Sequence, residues 1–102
     1  MLKQYYNLIS ANYPFNVITT AFDRQHNTLI LWIYHSLNFK LCFKDNDYTI
    51  VLVAYNGYES SIIGGRILSG AVTEENILES IEYILNYTRL RLGYKYFEGM
   101  KP

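Results

Sequence analysis

Two runs, Thr28–His35 (TLILWIYH) and Tyr48–Tyr55 (YTIVLVAY), are apolar at both parities. One parity carries Leu29, Leu31, Ile33, Ile50, Leu52 and Ala54; the other carries Ile30, Trp32, Tyr34, Val51, Val53 and Tyr55. Strands send successive side chains to opposite faces. A sheet with these two runs at its centre therefore has two faces to shield, not one.

The surrounding pattern supplies the rest of the sheet. Phe15–Phe22 holds Val17, Ile18, Thr19 and Thr20, β-branched types that suit a pleated surface. Asp23–Asn27, Ser36–Asn38 and Asp45–Asp47 are polar turns. Phe39–Lys44 alternates, with Phe39, Leu41 and Phe43 inward and Lys40, Cys42 and Lys44 opposite. Asn56-Gly57 predicts a type I′ hairpin turn between Tyr55 and Tyr58. Tyr58–Ile63 is then the returning strand, Gly64-Gly65 a break or bulge, and Arg66–Leu68 a resumption. Thr28–Tyr34 echoes in Thr49–Tyr55, which reads either as two buried strands looking alike or as a duplicated β motif.

Two helices complete the chain. Leu2, Tyr5, Tyr6, Ile9 and Tyr13 recur at helical spacing, and Pro14 stops them, which predicts a short helix over residues 2–12. Ile77, Leu78, Ile81, Ile84 and Leu85 make the apolar stripe of a longer helix. Thr73 stands at its N-cap, Glu74 and Glu75 in its first turn, and Arg89 and Arg91 near its last. Val72 and Ile77 stand at staple positions. Gly93 closes the helix in a left-handed conformation. Tyr94–Phe97 reads as a last strand or a docked arm. The expectation is one α+β domain over residues 1–102, with an antiparallel sheet of about five to six strands.

A five-stranded sheet is roughly 24 Å wide, and two helices, each about 10 Å across, cover one face of it. The other face, with Trp32 and Tyr34, then needs sheet curvature, the tail, a second copy of the chain or a partner. Trp32, Tyr34, Tyr55, Tyr58 and Ser61 are the candidate partner-binding residues, with the edges Tyr58–Ile63 and Phe15–Phe22 open to an added peptide strand. The eleven tyrosines fit such half-wet surfaces, and equally fit the codon usage of an AT-rich genome.

Nine basic residues balance nine acidic ones, so no global excess of positive charge is present to displace counterions from phosphates. The alternative nucleic-acid reading rests on a local cluster: Arg89, Arg91 and Lys95 interleaved with Tyr94, Tyr96 and Phe97. Among the candidates for chemistry, His26 sits in a polar turn and His35 ends a strand, with no ligand spacing between them. Cys42, the only cysteine, shares a face with two lysines that favour a thiolate, but no general base is identifiable beside it. Ser60–Arg66 has glycines and an arginine without the helix and Lys-Ser or Lys-Thr of a phosphate loop. No enzyme activity, metal or cofactor is therefore expected. No signal peptide and no membrane-length apolar run is present, so an intracellular, non-membrane protein is expected.

Length, the Tyr- and Ile-rich composition, the single cysteine and stretches such as Glu82–Tyr87 and Tyr94–Phe97 resemble small orphan proteins of filamentous viruses that infect hyperthermophilic archaea. The charged fraction of 18% departs from the ion-pair-rich surfaces of hyperthermophile proteins. The resemblance is one of overall cast, carries over no functional residue, and implies a viral protein without an assigned activity. The expectation is a non-enzymatic module that binds a protein or peptide, or a second copy of itself as a homodimer.

Overall fold

The computed structural model describes residues 1–93. The elements are α1 (Leu2–Asn12), β1 (Ile18–Asp23), β2 (Thr28–Ile33), β3 (Leu37–Lys44), β4 (Asp47–Val53), β5 (Glu59–Ser60), β6 (Ile62–Ile63), β7 (Arg66–Ile67), β8 (Ser69–Ala71) and α2 (Glu74–Leu92). Strands β1 to β5 follow one another in space as in sequence, all antiparallel, and β8 joins the same sheet. The fold is α+β, with one short N-terminal helix, one long C-terminal helix and a six-stranded sheet.

Register decides which face meets the helices. Leu31 stands opposite Phe39, which stands opposite Leu52; Leu29 stands opposite Leu41, which stands opposite Ile50. That parity, with Ile33, Phe43 and Tyr48, is buried apart from the partly exposed Leu52. Against it lie Tyr5 and Ile9 of α1 and Ile77, Ile81, Ile84 and Leu85 of α2. Burying side chains of this size stabilises by about 1.5–3 kcal/mol each. Tyr48 ties the layers together, its hydroxyl 2.6 Å from Ser80 Oγ and donating to Asn76 O at 3.1 Å.

The turns depart from the sequence expectation in an informative way. Asn56-Gly57 is not a two-residue type I′ turn: only Gly57 has positive φ (88°), and Ala54 N–H donates to Tyr58 O across the three-residue loop 55–57. Such loops pair an ordinary turn with one positive-φ residue. The two-residue turn with positive φ at both centres is instead Gly64-Gly65, at 59° and 82°, closing the β6–β7 hairpin. Gly64 is doubly constrained, because an added Cβ would lie 2.7 Å from Tyr83 Oη, which donates to the carbonyls of Ile63 and Gly64.

The expected strand Tyr58–Ile63 is broken in two. Ser60 Oγ accepts from Ile62 N–H at 3.3 Å and lies 3.1 Å from Ile62 O, so a local hydroxyl turn replaces the ladder at Ser61. β5 stays with β4, while β6 leaves for its own hairpin and buries Ile63. The first strand is shorter than Phe15–Phe22: Pro14 O accepts from Val17 and Ile18 N–H, which makes residues 14–18 a turn and leaves Phe15 exposed.

The helix limits match expectation. Thr73 Oγ1 accepts from Asn76 N–H at 3.1 Å, and Gly93 ends α2 with φ 82°. Its ψ of 166° is extended rather than left-handed helical, a region open essentially to glycine alone. Thr73→Ala is expected to cost about 1 kcal/mol, the scale of a lost N-cap, read as a lower urea midpoint with unchanged slope.

Candidate functional site

Both helices pack on one side of the sheet, so the opposite parity forms a helix-free face. Reading across the register, Thr19, Trp32, Asn38, Val53 and Glu59 form one row; Ala21, Ile30, Lys40 and Val51 the next; Asp23, Thr28, Cys42, Thr49 and Ser69 a third. The face grades from apolar at the Trp32–Val53 corner to polar at the Asp23–Cys42 end.

The corner is a groove of about 560 Å³ at the end of the sheet, lined by Trp32, Asn38 and Val53 of this face, by Leu37 and Leu52 of the opposite parity, by Tyr55, and by Arg91 of the last turn of α2. Trp32 is 42% exposed, and Tyr55, at the hairpin tip, is fully exposed. Val51 and Val53 are half-buried without a helix above them. Part of their cover is an ion pair: Lys40 Nζ on β3 reaches Glu59 Oε2 on β5 at 2.7 Å, across β4. The aliphatic stem of such a lysine lies along apolar surface while its ammonium stays wet. The Glu59 hydrogen bond holds the Lys40 ammonium above its usual value. Asn38 Oδ1, between Trp32 and Val53 in the row, is buried and has no hydrogen-bond partner among the described residues.

The candidate partner-binding residues do not all meet. Trp32 and Tyr55 share the groove. Tyr58 is exposed ahead of β5, and Ser61 is exposed at the break between β5 and β6. Tyr34 is not on that face at all: it is buried to 6% exposure. The physical reason is backbone conformation. Tyr34 and His35 both have positive φ, 52° and 56°, so the alternation of β2 ends at Ile33. The phenol then meets α2, where Arg89 Nε donates to Tyr34 Oη at 2.9 Å.

The basic cluster is only partly described. Arg89 engages Tyr34, its guanidinium carbon 5.8 Å from the ring centre, and also donates to Asn86 Oδ1. Arg91 lies 5.5 Å from the Tyr87 ring centre. Two positions apart on a helix, these arginines do not share a face. Tyr94, Lys95 and Tyr96 lie outside the described residues.

At the polar end, Asp23, His26, Thr28, Lys40, Cys42 and Glu59 line a second depression of about 340 Å³. Asp23 Oδ2 accepts from His26 Nδ1 at 2.9 Å, and this bond, first among several causes, holds the carboxyl below its usual value. Cys42 Sγ reaches only the Lys40 carbonyl, at 4.0 Å, and no hydrogen bond among the described residues joins it to His26. Among the described residues no group of three His, Cys, Asp or Glu side chains is placed to hold a metal ion. No described helix is long and apolar enough to cross a membrane.

Leu37 and Asn38 belong to β3 and not to the polar turn that the sequence predicts, and no local pattern marks the Lys40–Glu59 clamp. The available signal was Leu37 itself, an apolar residue inside a polar turn. No family model matches the chain, and neither the curated proteins nor the solved structures contain a match to it.

Two outcomes follow from this geometry. His35→Gly is expected to change stability by less than about 1 kcal/mol, because relief of the left-handed backbone is offset by the larger unfolded-state entropy of glycine and by loss of the Phe15 ring contact; urea melts check it. For Asp23, the folded carboxyl titrates below its ordinary value of 3.8. Its contribution is therefore present above that pH and lost as pH falls through the lower folded value. Acid titrations of stability on the wild type and on Asp23→Asn are expected to diverge above pH 4 and converge in stronger acid.

Proposed function

We propose that this chain is a protein-interaction module that docks another protein on its helix-free sheet face, with Trp32 as the anchor. The observation that carries this reading is the groove at the Trp32–Val53 corner, an exposed and mainly apolar concavity where the helix-free face meets the end of the sheet. Exposed apolar patches that a small domain leaves uncovered are commonly contact surfaces, and a tryptophan with polar neighbours at its rim is the residue type that dominates such contacts. Lys40 and Glu59 flank the apolar corner and supply charges of both signs for orientation. The nucleic-acid alternative has less support, because Arg89 is engaged with Tyr34 and the chain carries no net charge.

Trp32 is the sole tryptophan, so its emission reports directly on this face. Affinity capture from the protein's own cells is compared for the wild type, for Trp32→Ala with Val53→Lys, and for Arg89→Ala with Arg91→Ala. The face variant is expected to lose capture of a protein by tenfold or more, the scale of a lost anchor, and the isolated partner is expected to shift Trp32 emission to the blue. Nuclease-sensitive capture that is lost only in the arginine variant would overturn the reading.

A further inference from the structure

We infer that β1 pairs with β1 of a second copy of this chain, joining two sheets edge to edge about a two-fold axis at Ala21. Tyr34 N–H donates to Val17 O at 2.9 Å, which makes Val17 and Tyr34 a hydrogen-bonded pair of the β1–β2 ladder. Such pairs alternate along an antiparallel ladder. Thr19, Ala21 and Asp23 therefore bond to β2, while Ile18, Thr20 and Phe22 turn their backbone groups outward. Ile18 N–H is taken by Pro14 O at 3.1 Å. The N–H and C=O of both Thr20 and Phe22 have no partner among the described residues.

The two edges of the sheet are treated differently. Opposite β1, the free side of β4 is shared by two short strands, β5 and β8, with the β6–β7 hairpin between them. That is how natural sheets blunt an edge. β1 pairs without a bulge over Ile18–Asp23, has neither proline nor lysine, and carries one charge, at its end. From Thr19 to Phe22 the strand therefore has no proline, charge or bulge to block pairing, and the turn at Pro14 occupies only the Ile18 N–H.

A second copy fits this edge better than an arbitrary strand because the edge complements itself. With Ala21 opposite the partner's Ala21, Thr20 N–H donates to the partner's Phe22 carbonyl and Phe22 N–H to the partner's Thr20 carbonyl, and the two-fold repeats both. Every outward group of those two residues is then satisfied. A register shifted to place Thr20 on the axis would set Phe22 against the partner's Ile18, whose N–H is already committed. Ala21 is exposed on the helix-free face, and its small side chain leaves the axis clear. Asp23 falls opposite the partner's Thr19, so no like charges meet, and zero net charge sets up no repulsion between the copies. A strand pair alone buries less than the roughly 800 Å² per partner of a standard interface. The dimer is therefore expected to be weak and concentration-dependent.

The test is sedimentation of the full chain across the micromolar to millimolar range. The wild type is expected to double in mass from 12.0 kDa. Ala21→Lys and Ala21→Glu each place like charges on the axis and are expected to stay monomeric, with melting at low concentration unchanged. Their mixture is expected to recover the doubled mass. In a Cys42→Ser background, Ala21→Cys is expected to cross-link to its partner under mild oxidation. A wild type that stays monomeric throughout overturns the inference. So does a dimer that both charge variants leave intact, or a mixture of them that fails to re-form it.

Discussion

The structure depends on one interlock: the parity Leu29, Leu31, Ile33, Phe39, Leu41, Phe43, Tyr48 and Ile50 against Ile77, Ile81, Ile84 and Leu85 of α2, with Tyr5 and Ile9 of α1 beside them. Side-chain alternation makes this an all-or-none choice. A slip of one residue in any central strand would turn that strand's whole buried set to the other face. Once the register is set, the second face is set with it. Trp32, Val51 and Val53 are left without a helix by the same alternation that buries their neighbours. The candidate docking surface is in this sense a consequence of core packing, since two helices cover only one side of the sheet.

The connections carry the strain that lets so short a chain make so many strands. Tyr34, His35, Asp45 and Asn27 all take positive φ without being glycine. Asparagine and aspartate tolerate this region, but a tyrosine and a histidine in succession do so only when the surroundings over-determine them. Here the surroundings are visible. Tyr34 N–H closes onto Val17 O, and its hydroxyl accepts from Arg89 on α2. The β2–β3 turn is thereby clamped between the β1 edge and the long helix. Arg89 acts in this clamp through Nε and also donates from Nη1 to Asn86 Oδ1, so the guanidinium is held in place by neutral partners.

The sheet is also asymmetric from edge to edge. On the β4 side, Ser60 breaks the strand, the Gly64-Gly65 hairpin folds back onto Tyr83, and the Lys40–Glu59 pair holds β5 to β3. An exposed ion pair of this kind adds little stability, but it fixes where charge lies beside Val51 and Val53. On the β1 side, among the described residues, α1 packs through the Tyr6–Phe22 stack at 4.8 Å, Arg24 lies over the same ring, and the turn at Pro14 takes the Ile18 N–H. One rim of the sheet is divided between short strands and the other is a single regular strand.

Much of the fold was legible in the chain because it rests on local period and chemistry. Helical spacing with Pro14 set α1; Thr73, the Ile77–Leu85 stripe and Gly93 set α2; double-parity apolar runs set β2 and β4. These signals need no knowledge of what lies across the fold. The errors share a different cause. Asn56-Gly57 and Gly64-Gly65 both permit positive φ, and which of them makes the two-residue turn depends on where Tyr83 stands on a helix some twenty residues away. Tyr34 continues the apolar run of β2 in sequence, but its side is decided by backbone closure to Val17 and by Arg89, both distant along the chain. The sequence by itself determined the two helices, the central strands and the parity that forms the core, because burial and periodicity act residue by residue. Only the tertiary structure decided which face stays open, which edge stays unpaired and where Tyr34 points, because each is set by contacts between segments that no local pattern encodes.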